Sequence, residues 1–97
     1  MFLKIHRGPD GMTVVALCDR ELINTTITDG EIEVCITESF YGNRQASADE
    51  VREALSKADN ANIMGEQAVS FAVDMGIISR SSCIMIGNVP HAQVFRL

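Results

Sequence analysis

The stretch SADEVREALSKADNANIMGEQAVSFAVDMG, residues 47 to 76, decides how this chain folds, because here a run of strands gives way to helix. It opens on Ser47-Ala48-Asp49-Glu50, a capping box in which the Ser hydroxyl and the Glu carboxylate satisfy two otherwise orphaned amides. A helix is predicted to start there, with Ala48, Val51, Ala54, Leu55 and Ala58 at helical spacing and a break at Asp59-Asn60. A second helix of similar length is predicted to follow. It carries Met64, Ala68, Phe71, Ala72 and Met75 on one face, with Ile63, Val69 and Val73 broadening the stripe, and Gly76 supplies a left-handed stop.

Upstream, residues 31 to 37 alternate, with Ile32, Val34 and Ile36 facing one way, the pattern of a half-buried strand. Residues 2 to 6 and 12 to 18 are rich in β-formers and flank Gly8-Pro9-Asp10-Gly11, so they form a predicted hairpin. The second run is nearly continuous in apolar residues, which predicts a central strand. Asp19 suits the N-cap of a single turn around Glu21 and Leu22. Downstream, residues 83 to 86 form a short apolar run, and Gly87-Asn88 suits a hairpin turn into a last strand over residues 89 to 95. Pro90 cannot donate to a ladder, so that strand is expected to begin irregularly or to lie at a sheet edge. The order ββ-β-αα-ββ predicts an α+β fold, a single mixed or antiparallel sheet of about five strands with two helices packed on one face.

Ninety-seven residues make a single domain, 1–97, and 46% hydrophobic against 22% charged residues predicts a packed core. A net charge of −5 and eight scattered cations argue against extensive direct nucleic-acid binding, which needs a Lys or Arg for each neutralised phosphate. Cys18, Cys35 and Cys83 are widely spaced and odd in number, the usage of reduced thiols in a cytoplasmic protein. The first residues lack the apolar run of a signal peptide, and no window reaches the roughly 18 apolar residues of a membrane span. The expected location is cytoplasmic, with no membrane partner. No metal spacing or cofactor motif is present, and no cofactor is expected.

Four segments carry a resemblance: Val15-Ala16-Leu17-Cys18-Asp19, Glu38-Ser39-Phe40-Tyr41-Gly42, Ala61-Asn62-Ile63-Met64-Gly65-Glu66 followed by Ala68-Val69, and Gly87-Asn88-Val89-Pro90-His91-Ala92-Gln93-Val94. The chain resembles, over nearly its whole length, an archaeal family catalogued as domain of unknown function 424. Asn88 departs from the small or apolar residue expected there. The resemblance implies an archaeal source and leaves the molecular activity unassigned. Members tend to be encoded near translation genes, such as that for the β subunit of an archaeal initiation factor. This implies a role in translation or ribosome assembly, with a translation factor or a ribonucleoprotein as partner.

The candidate site residues each admit two readings. His91, set between Pro90 and Gln93 after a turn, suits proton transfer or a structural hydrogen bond. Asn62, Gly65 and Glu66, at the start of the predicted second helix, suit a small anion, or else Glu66 fills that position itself and Gly65 only permits close packing. Phe40, Tyr41 and Gly42 suit a stacking platform or partner anchor, or a lid on the core. Cys18, at the end of an apolar strand, is expected to be a buried, inert thiol. Two function classes follow. One is a non-catalytic binding module using Phe40, Tyr41, Gly42, Pro90, His91 and Gln93. The other is a small enzyme using His91 with Glu66 or Glu38 on a nucleotide-like substrate.

Overall fold

The computed structural model of the chain describes residues 1–95. Strands β1 (Phe2–Arg7) and β2 (Thr13–Cys18) form the expected antiparallel hairpin, with Leu3 opposite Leu17 and Ile5 opposite Val15. After a 3-10 turn, Arg20–Leu22, strands β3 (Thr25–Asp29) and β4 (Ile32–Ile36) pair antiparallel as a small sheet of their own. Helix α1 (Glu38–Tyr41) is a single turn, followed by α2 (Ala48–Lys57), β5 (Asn60–Met64), α3 (Glu66–Asp74), β6 (Ile84–Ile86) and β7 (Val89–Phe95).

The capping box forms as its residues predict. Ser47 Oγ accepts from Glu50 N at 3.1 Å, and Glu50 Oε1 accepts from Ser47 N at 3.0 Å. The second helix, however, starts later than its spacing suggests, because Asn60–Met64 is a strand. This strand lies between β2 and β7 and buries Ala61, Ile63 and Met64, so its apolar residues fall on both faces. A short run of that kind has no period of its own, and here it joins smoothly onto the helical spacing of Ala68 and Phe71. Gly65, at φ +108°, turns the chain from strand to helix.

The main sheet has the order β1-β2-β5-β7-β6 and is mixed: β2 and β5 run parallel, and the other pairs are antiparallel. Helices α2 and α3 cover one face. There Val15, Leu17, Ala61, Ile63 and Ala92 from the sheet meet Val51, Leu55 and Val69 from the helices. Each of the larger of these side chains contributes about 1.5–3 kcal/mol by leaving water. The opposite face is covered at one end only, where Ala16, Cys18, Met64 and Ile86 pack under Ile36 and Tyr41. Of the apolar trio on β4, Ile36 is buried and Ile32 is 60% exposed, so the far end of the small sheet leaves the core.

Of the two outcomes expected from Pro90, the sheet edge does not occur: strand β7 lies between β5 and β6, and its pairing with β5 starts only at His91. The reason is local. Pro90 falls opposite Gly65, one step beyond the last β5 pair, Met64 with His91. Its carbonyl accepts from Gly65 N at 2.9 Å, and the Gly65 carbonyl that would need an N–H from position 90 accepts from Val69 N instead. The missing donor therefore costs the sheet nothing.

Candidate functional site

The strand register sorts the side chains on the face away from α2 and α3. One cross-strand row holds His6, Val14, Asn60 and Phe95; the next holds Lys4, Ala16, Asn62 and Gln93; a third holds Phe2, Cys18, Met64 and His91. The small β3–β4 sheet and α1 cover the Cys18 and Met64 end, and leave the polar residues of the other end at the surface.

Helix α1 sets the boundary between the two regions. Tyr41 is buried, and its hydroxyl donates to Asn62 Oδ1 at 2.5 Å. Burial, and secondarily the neighbouring Cys18, push the Tyr41 phenol well above its ordinary value, so it remains a donor. Phe40 stands edge-on to Tyr41, with ring centres 4.8 Å apart, and stacks on His6 at 5.0 Å. His6 Nε2 donates to the Phe40 carbonyl at 2.7 Å. Gly42 ends α1 at φ +82°, and a Cβ there would meet the Leu3 carbonyl at 3.1 Å.

Asn62, Gln93 and His91 therefore share one face, in adjacent rows, with the Tyr41 hydroxyl fixing the first of them. Beyond that bond, the side chains of Asn62, Gln93 and His91 have no hydrogen-bond partner among the described residues. Partial burial lowers the His91 pKa. A side chain of this kind stays neutral near pH 7, with one ring nitrogen a donor and the other an acceptor.

The carboxylates lie elsewhere. Glu66 is held by Arg80 at 2.6 Å and by Ser70 at 3.5 Å, and both contacts lower its pKa. Glu38 accepts from Asn24 Nδ2 at 3.0 Å. Asn62 stands mid-strand rather than at a helix start, and the first turn of α3 already holds an anion. Asp19 Oδ2 and Oδ1 accept from the N–H groups of Gln67 and Ala68 at 3.1 and 2.8 Å. Asp19 caps this distant helix and makes no side-chain cap to the turn beside it. Gly65 is what admits it, because a Cβ there would overlap the Asp19 carboxylate.

Sequence reasoning missed two features of this region. His6 was detectable, since strand alternation sets it opposite to Leu3 and Ile5, on the face away from α2 and α3. The partners of Asp19 lie 48 and 49 residues away and leave no local signal. Cys18 is buried, and burial with the adjacent Asp19 pushes its thiol up to about 12, which makes it inert near neutrality. Among the described residues, no three His, Cys, Asp or Glu side chains converge as metal ligands, and no helix is long and apolar enough to cross a membrane.

A compact α+β sheet with one face sealed by helices and the other half open defines the structural class. The chain belongs to the family described as "Protein of unknown function (DUF424)", whose model matches residues 6–97. The fold is similar to that in the crystal structure of an uncharacterized conserved protein from Methanopyrus kandleri, with 30% sequence identity and a TM-score of 0.80 over 99% of this chain and 93% of that one. No curated protein matches the chain.

Proposed function

We propose that this protein is a non-catalytic binding module that docks a protein or ribonucleoprotein partner of the translation machinery through the open half of its sheet. The observation that carries the binding reading is the row of Asn62 and Gln93, with His91 in the next row, anchored by the Tyr41–Asn62 bond of 2.5 Å. Asn62 is held by Tyr41, and the side chains of Gln93 and His91 offer donors and acceptors with no partner among the described residues. The restraint on Asn62 suits recognition, because that side chain has little freedom left to lose on binding. Phe40, stacked on His6, and the 65%-exposed Phe95 supply apolar area beside it. In this reading Gly42, Gly65 and Pro90 shape the backbone rather than touch the partner. The translation assignment comes from the family resemblance, and a relative in Methanopyrus kandleri accords with an archaeal source.

The enzymatic alternative pairs His91 with Glu66 or Glu38. It is disfavoured because Glu66 is engaged by Arg80, Glu38 is engaged by Asn24, and burial alone accounts for the His91 shift.

The test is co-purification of the tagged protein from an archaeal extract at low salt, repeated with Asn62→Ala and Gln93→Ala. Ribosomal or initiation-factor components retained by the wild type and lost from both variants support the proposal. Absence of such components from the wild-type eluate, or their equal retention by the variants, refutes it. Direct RNA binding would instead show a steep loss of affinity with salt.

A further inference from the structure

We propose that the outer edge of β1 and the cleft beside it form a docking groove for an extended peptide with the pattern apolar, any residue, acidic, taken up as a sixth strand of the main sheet. The surface is separate from the amide row and does not depend on it.

Strand β1 ends the sheet order. The bond from Gly8 N to Met12 O fixes which of its groups face β2: even-numbered residues pair inward, and Leu3, Ile5 and Arg7 turn their N–H and C=O groups outward. The same parity accounts for the Met1 carbonyl accepting from Ala46 N outside the sheet. That crossing segment protects only the start of the edge, where Gln45 bridges Phe2 and Gly42 abuts the Leu3 carbonyl. The outward groups of Ile5 and Arg7 have no partner among the described residues. Two residues of unpaired ladder, without a Pro or a bulge, are a template for strand addition.

The side-chain chemistry then selects the peptide. A cleft of about 420 Å³ runs along this edge, floored by Leu3, Ile5, Val15 and Ala54. Its rim carries three cations against two carboxylates. Arg44 is paired with Glu50 at 2.6 Å and Lys57 with Glu53 at 2.9 Å, which leaves Arg7 without a carboxylate among the described residues. The groove thus has a local positive excess on a chain of net charge −5. On an incoming strand, residues two apart face the same side. The residue beside Ile5 enters the apolar cleft, and the one beside Arg7 brings a carboxylate to its guanidinium, a pairing that suits bidentate hydrogen bonds. A second copy of this chain is a poorer occupant: self-pairing centred on Ile5 sets Lys4 against His6 and places each Arg7 against Leu3 rather than an acid.

The experiment pans a display library of random nonapeptides against the full-length chain. The consensus peptide is then measured by fluorescence anisotropy on the wild type, Arg7→Glu and Ile5→Pro. Ile5→Pro removes one outward N–H and leaves the inward ladder intact; circular dichroism and thermal melting check that both variants fold. The expected result is a consensus with an acidic residue two positions from an aliphatic one, and affinity reduced about tenfold or more in each variant. Lack of a consensus, a consensus without the acid, or unchanged affinity for folded Ile5→Pro overturns the proposal. If Ile5→Pro does not fold, hydrogen exchange on the wild type decides instead: failure of the peptide to protect the Ile5 and Arg7 amides overturns it. A dimer in sedimentation equilibrium that the peptide does not dissociate also overturns it, in favour of self-pairing.

Discussion

The carboxylate of Asp19 and the missing side chain of Gly65 occupy the same space: two α3 amides bind the first, at 3.1 and 2.8 Å, only because the second leaves room for it. The residue just after β2 thereby fastens the helix that follows β5, and joins the parallel centre of the sheet to its covering layer.

Asp19→Ala leaves the two amides without their acceptor and is expected to cost about 1–3 kcal/mol, read as a lower urea midpoint at unchanged slope. Gly65→Ala is expected to destabilise both through its φ of +108° and through collision with the carboxylate. Only the collision vanishes once Asp19 is Ala. The double variant should therefore be less destabilised than the two single losses added together. Full additivity would show that the two residues do not compete for space.

This pair also marks where sequence reading succeeds and where it stops. The β1–β2 hairpin, the capping box at Ser47 and Glu50, the strand around Val34 and the Gly87-Asn88 turn all write their geometry within a few neighbouring residues, and all four form, although the strand around Val34 pairs in a sheet of its own and exposes Ile32. Strand β5 does not. Ile63 and Met64 reach Ala68 and Phe71 at intervals that a continuous helix also satisfies, and only Gly65 interrupts the run. Asp19 looks like the cap of its own next turn because its true partners are distant in sequence. The candidate face was half legible for the same reason. His91 and Gln93 stand out beside Pro90, but their alignment with Asn62 is a property of pairing between strands.

Alkaline pH should weaken the fold. Burial raises the Cys18 thiol from 9.0 to about 12, and the Tyr41 phenol is raised as well. The native state therefore holds protons that the unfolded chain releases, and the associated stability is complete below pH 9.0 and lost on rising toward about 12. Urea midpoints at about pH 8 and about pH 10 should differ in that direction, with a smaller difference in Cys18→Ala. An equal difference in that variant would remove Cys18 from the account.

Spectroscopy can follow Tyr41 separately. The chain has 1 Tyr and 0 Trp, so phenolate absorbance reports this residue alone. It should appear only above the ordinary value of 10.0 while the protein is native, and near that value in denaturant. Tyr41→Phe should lower stability by about 1 kcal/mol through loss of the bond to Asn62.

Acid should act through His91. Its lowered pKa means that the unfolded chain takes up a proton first as pH falls, so stability is present above the ordinary 6.5 and declines below it. Proton NMR of the two imidazoles, with His91→Gln to assign them, should place the His91 midpoint under 6.5. A midpoint at or above that figure would mean that burial does not govern the ring in solution.

Thiol labelling gives a direct check on the packing. In native protein at neutral pH, Cys35 is exposed and should react first, Cys83 more slowly, and Cys18 only after unfolding. Early modification of Cys18 would contradict its place under Ile36 and Tyr41.

The position of β5 has a consequence for how the chain is made. Its two neighbours, β2 and β7, are complete near residues 18 and 95, so the middle strand is synthesised long after one partner and well before the other. While the chain emerges from the ribosome, the β1–β2 hairpin has no parallel neighbour, and the nearly continuous apolar run of β2 stays uncovered. Folding must therefore wait for most of the chain and then close over long sequence separations, a slow topology for its size. During that interval Asp19 is a solvated carboxylate at the end of an open strand, and its burial marks the moment at which the two halves of the chain become one structure.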